Sequence, residues 1–120
     1  MIRTAPEYIL RFIDYINENI DTKEDCYITF YHGENCIEYI CKSCDKCLSY
    51  AEYDKNTKIL YVPTQYPVGK TPKFLLESIA HEYWHHVQNC EGRLIDSNRD
   101  KLENEAEKKA IEIVEKYLDI

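Results

Sequence analysis

Ser78-Ile79-Ala80-His81-Glu82-Tyr83-Trp84-His85-His86-Val87-Gln88 is the stretch on which the reading of this chain turns. It contains His-Glu-x-x-His, as His81, Glu82 and His85. On a helix, residues four apart lie one turn apart on the same face, so both imidazoles can address one ion. Two histidines, with room for a carboxylate and a water, suit the open tetrahedral site of a catalytic zinc. Glu82 directly follows the first histidine, so it projects beside the metal position and can take a proton from the water there.

The flanks decide whether this short motif sits on a capped, buried helix. Pro67, Gly69 and Pro72 interrupt the preceding chain, Thr71 can serve as the N-cap, and Pro72 suits the first helical position. Phe74, Leu75, Ile79, Tyr83 and Val87 recur at helical spacing, and Gly92 is placed to end the helix. The competing reading is a surface helix that carries two histidines by chance.

Working outward, 120 residues predict one domain, residues 1–120. A net charge of −7, from 22 acids against 15 bases, argues against nucleic acid as a partner. Glu7, Arg11 and Asp14 interrupt any signal-peptide core, and no apolar run is long enough for a bilayer span. The expectation is a cytoplasmic protein with no membrane partner.

Tyr8, Ile9, Phe12, Ile13 and Ile16 predict a first helix from Pro6 to about Asn19 that covers a sheet. Cys26–Tyr31 and Asn35–Cys41 are rich in aromatic and β-branched residues and suggest a hairpin around His32-Gly33-Glu34. Leu48–Tyr53 and Lys58–Val62 form a second pair of runs around Asp54-Lys55-Asn56-Thr57. The fold class is α+β, with helices packed on a small, mostly antiparallel sheet of three to four strands.

Six cysteines are present. Cys36, Cys41, Cys44 and Cys47 are closely spaced, while Cys26 and Cys90 stand apart. Disulfides, a second metal or iron–sulfur cluster, and reduced thiols packed as small apolar groups are all compatible with this spacing.

Ser97 and Asp100 mark the start of a last helix, with Ser97 as cap and Asp100 at its third position. Leu102, Ala106, Ala110, Ile113, Val114 and Tyr117 form its apolar stripe. Glu105 lies on the edge of that stripe, where a carboxylate is costly unless a cation meets it. Zinc would be such a cation. Glu103, Glu107, Glu112 and Glu115 share the segment, and a solvated Glu105 is the plainer reading.

Asn104-Glu105-Ala106, twenty residues beyond His85, resembles the third-ligand segment of the thermolysin-like gluzincin clan of zinc peptidases. The resemblance implies His81, His85 and Glu105 as zinc ligands and Glu82 as general base. Tyr50-Ala51-Glu52-Tyr53 is similar to the clan's edge strand, which pairs with an extended substrate. In size and order of elements the whole chain resembles the minigluzincins, stand-alone minimal catalytic domains described as latent. Two departures stand out. The clan places an acid four residues after the glutamate ligand to steady the first histidine, and the residue four beyond Glu105 is Lys109. The clan's downstream oxyanion-stabilising histidine has no counterpart; His86, Tyr83 and Tyr66 are the nearest candidates.

The expected function is therefore a zinc-dependent metallopeptidase acting on peptides or unfolded protein. An end of its own chain or of a self-associated neighbour blocks the cleft, the C-terminus being the favoured blocker. Two alternatives are a non-enzymatic zinc-binding domain and a regulatory peptidase of the ImmA/IrrE sort acting on one protein.

Overall fold

The computed structural model describes residues 5–31, 51–64 and 71–119. Helix α1 spans Glu7–Asn19, strands β1, β2 and β3 span Tyr27–Tyr31, Glu52–Asp54 and Ile59–Pro63, and helix α2 spans Pro72–Cys90. A single 3-10 turn over Asp96–Asn98 leads into helix α3, Arg99–Leu118. The α+β class expected from the pattern is the one observed.

The sheet has strand order β1-β3-β2. β2 and β3 are antiparallel, with Glu52 opposite Tyr61 and Asp54 opposite Ile59. The turn between them is closed by the Lys58 N–H donating to the Asp54 carbonyl at 2.8 Å, with Lys58 at φ 58°. β1 runs parallel to β3, Tyr27 opposite Ile59 through Tyr31 opposite Pro63. The described sheet is thus mixed and three-stranded, not mostly antiparallel. Apolar alternation reports which face is buried and is blind to strand direction, so it could not foresee the parallel pair. The expected strand Asn35–Cys41, its hairpin and Cys36, Cys41, Cys44 and Cys47 lie outside the described residues.

β3 is the central strand, and Leu60, Tyr61 and Val62 are all buried. Leu60 and Val62 join Ile9, Phe12, Ile13 and Ile16 of α1, Leu75, Ile79, Tyr83 and Val87 of α2 and Ala110 and Val114 of α3 in one core. α1 was expected to cover the sheet; its ring contacts run to α3, where Phe12 meets Tyr117 edge-on at 5.0 Å between ring centres. The Tyr83 hydroxyl of α2 donates to Asn17 of α1.

The start of α2 follows the sequence closely. Pro72 occupies the first turn, and the Thr71 hydroxyl accepts from the Phe74 N–H at 3.3 Å. Gly92, just beyond α2, takes φ 74°, a left-handed conformation that a side chain would disfavour. α3 begins later than expected: Ser97 lies in the 3-10 turn, Asn98 is the N-cap without a side-chain bond, and Asp100 falls in the first turn. Leu102, Ala106, Ala110 and Val114 form its buried stripe, so α3 packs along α2 and presents its first turns to the histidine face.

Candidate metal centre and adjoining cleft

His81 and His85 stand one turn apart on α2, with ring centres 4.9 Å apart. Their Nε2 atoms converge on one carboxylate, that of Glu103 on α3. His85 Nε2 lies 2.7 Å from Glu103 Oε1, and His81 Nε2 lies 3.2 Å from Oε2. One ligand atom from each of His81, His85 and Glu103 falls within 4.8 Å of the others, a group that could hold a metal ion.

The outer ring nitrogens are held as well. His85 Nδ1 lies 2.8 Å from Gln88 Oε1. The orientation of that amide follows from its bonds: Gln88 Nε2 donates to the Leu102 carbonyl at 3.0 Å and to Glu105 at 3.3 Å, both acceptors. The oxygen therefore faces His85, and the His85 proton sits on Nδ1. His81 has a carboxylate oxygen 3.2 Å from each ring nitrogen, Glu107 Oε2 at Nδ1 and Glu103 Oε2 at Nε2, so either nitrogen can carry its proton.

With Nδ1 of His85 protonated, its Nε2 lone pair points at an anionic carboxylate oxygen 2.7 Å away. Acceptor against acceptor at 2.7 Å is repulsive unless a cation lies among them, as a proton on each ring or as a metal ion. Two imidazole nitrogens and one carboxylate oxygen, with Gln88 fixing the tautomer of His85, form a donor set that suits a divalent metal such as zinc. The residues fit the ion.

Glu82 borders this group. Its Oε2 is 3.8 Å from His81 Nε2, while its Oε1 accepts from the Tyr53 N–H at 2.9 Å. Burial pushes the Glu82 carboxyl up to about 8, and the charges of Glu52 and Glu103 add to the rise. The Tyr53 N–H and the Arg99 charge oppose it. A divalent cation at the three ligands would oppose it further. Burial, then Glu103, likewise raises Glu52.

Glu105, the expected third ligand, faces elsewhere. It accepts from Trp84 Nε1 at 2.8 Å, from Gln88, and from both Arg93 Nη atoms at 3.1 and 2.8 Å. The Arg93 guanidinium holds its carboxyl down at about 2. The cation that relieves Glu105 is thus an arginine, and Glu103 takes the place beside the histidines. Both Glu103 and Glu107 were passed over in the sequence. Their spacing was the available signal: an acidic pair four apart matches a histidine pair four apart.

The edge strand also behaves differently from the expectation. The Ala51 N–H donates to Ser78 Oγ at 3.0 Å and the Tyr53 N–H to Glu82, so two donors, one in β2 and one just before it, are taken by α2. His86 is fully buried, with Nδ1 2.7 Å from the Tyr53 hydroxyl and Nε2 2.8 Å from the Glu24 carbonyl. Like Tyr83, bonded to Asn17, it is a tie within the fold and no oxyanion donor; Tyr66 lies outside the described residues. Cys26 and Cys90 are free thiols, and burial pushes Cys26 up to about 12.

α3 carries its far end away from the site. Leu118 lies 15 residues beyond Glu103 in the same helix, which places about 22 Å of helix between them. No helix among the described residues is long and apolar enough to cross a membrane. Comparison with family models, with curated proteins and with solved structures yields no match.

Proposed function

We propose that the chain is a small zinc-dependent metallopeptidase of gluzincin type, with His81, His85 and Glu103 as ligands and Glu82 as general base. The observation that carries this reading is the placing of Glu82. One of its oxygens is pinned by the Tyr53 N–H, and the other is turned to the histidine that bears the ligand nitrogen. Zinc held at the three ligands would polarise a peptide carbonyl and make a neighbouring water acidic. Glu82 Oε2 is then the acceptor for the proton of that water and its donor to the leaving amine.

Glu107 supports the resemblance stated above. It stands four residues after Glu103 and bonds His81 Nδ1, which is the role the clan gives to the acid at that spacing.

The test is paired metal analysis and peptidase assay on the full chain, with an unfolded protein such as casein as substrate. Wild type should hold about one zinc and cleave. Glu82→Gln should keep the zinc and lose roughly 10²–10⁴-fold in turnover. Full activity in Glu82→Gln, or a wild type that binds no zinc, would sink the reading.

A further inference from the structure

Between β2 and the start of α3 lies a cleft of about 590 Å³, walled by Glu52, Glu82, His85, Ile95, Arg99 and Glu103, among others. The arginines that the structure describes differ in how they are used. Arg11 pairs with Glu7, and Arg93 is taken by Glu91 and Glu105. Arg99 makes no hydrogen bond or ion pair among the described residues, although it shares the cleft with four carboxylates.

Its position explains both facts. Arg99 precedes Glu103 by four residues on α3, so their Cβ atoms sit on one face about 6 Å apart. The usual partner at that spacing is already engaged, because both Glu103 oxygens lie against the imidazoles. The guanidinium lines the same cleft as His85 and Glu103, acts on Glu52 and Glu82 by its charge without a hydrogen bond among the described residues, and is open to a ligand there.

A peptide lying there finds the Tyr53 N–H of β2 bonded to Glu82 and the Ala51 N–H just before it bonded to Ser78. Recognition therefore falls to side chains. Glu52, Asp54, Glu82 and Glu103 are balanced in formal charge by Lys55, Arg99 and a divalent ion, so an incoming carboxylate meets no net repulsion. A guanidinium fork matches a carboxylate in two parallel bonds, and Leu94 and Ile95 supply an apolar wall on the same side.

Building on the peptidase reading, we propose that Arg99 is the specificity-determining residue of the cleft. It takes a carboxylate carried by the substrate within a residue or two of the scissile bond, on a residue whose apolar part rests against Leu94 and Ile95. Either the α-carboxylate of a C-terminal residue or the side chain of an internal acidic residue supplies the same chemistry.

The experiment is calorimetric binding to zinc-supplemented Glu82→Gln protein, in which hydrolysis is arrested. Three probes are used: N-acetyl-Ala-Ala-Ala-Leu with a free carboxylate, its C-terminal amide, and the amide with glutamate as third residue. One carboxylate-bearing probe should bind at least about 10-fold tighter than the plain amide, and which one does so identifies the source. Adding Arg99→Gln should erase that preference and leave the plain amide within about 2-fold; Arg99→Lys should restore part of it. Equal binding of all three probes, or an equal loss for all three in Arg99→Gln, overturns the proposal. Zinc content and melting temperature are measured on the same samples. Absent zinc counts against the peptidase reading alone, because the carboxylate preference and its dependence on Arg99 are read without turnover.

Discussion

Glu103 and Glu105 are two residues apart on α3, about 200° apart around the helix axis, and their surroundings could hardly differ more. Glu103 faces two imidazole nitrogens and, among the described residues, makes no ion pair with a lysine or arginine. Glu105 receives a guanidinium, an indole N–H and an amide. Both lie against α2, the first at His81 and His85, the second at Trp84 and Gln88, with Leu102 and Ala106 buried beside them. A carboxylate whose charge is met by protein groups is a structural tie. One set against two imidazole nitrogens can help hold an ion from outside.

The largest expected effect comes from removing one carboxylate or the other. Glu103→Ala should empty the site of zinc, as should His81→Ala or His85→Ala, whereas Glu105→Ala should leave about one ion per chain. Elemental analysis of the purified variants reads this directly. If Glu105→Ala lost the metal while Glu103→Ala kept it, the two roles would have to be exchanged.

The outer partners come next. Gln88→Leu and Glu107→Ala each free one histidine Nδ1, and each should weaken zinc about 10–100-fold without abolishing it. Competition with a chelator of known affinity measures the loss. An unchanged affinity in both would mean that the tautomers are fixed by something else.

Glu105 predicts a pH effect of definite sign. Its folded-state pKa, about 2, lies below the ordinary 4.5, chiefly because of the Arg93 hydrogen bonds. The stability it contributes is therefore present above pH 4.5 and is lost as pH falls towards 2. Melting curves across that window should fall more steeply for wild type than for Glu105→Gln, measured without added metal. Parallel profiles would remove Glu105 from the account.

Trp84→Phe should have the smallest effect. It removes one donor to Glu105 and keeps the ring, at a cost of about 0.5–1.5 kcal/mol with zinc content unchanged. A loss of zinc in this variant would show that the tie and the site are not separate.

Much of this was legible in the chain. Thr71, Pro72 and Gly92 bounded α2, and the spacing of His81, Glu82 and His85 placed two ligands and a neighbouring acid on it. These are local signals, set by residues one turn apart. The third ligand was not local. Apolar neighbours made Glu105 the suspect acid, but Arg93 reaches it across the turn that joins α2 to α3, and that approach is decided by tertiary packing. The parallel pairing of β1 with β3 was hidden for the same reason, since both directions bury the same side chains. Arg99 gave no signal either: its distinction is the absence of a partner among the described residues, which only a folded neighbourhood reveals.

The three ligands come from two helices, His81 and His85 from α2 and Glu103 from α3. An ion bound there would fasten α2 to α3 across Gly92 and the 3-10 turn and make occupancy and folding one equilibrium. Zinc at 100 times its dissociation constant would add about 2.7 kcal/mol to the folded state. The melting temperature then depends on the metal concentration of the buffer. A chelator would then act as a denaturant directed at one joint, loosening the helix pair that forms one wall of the cleft.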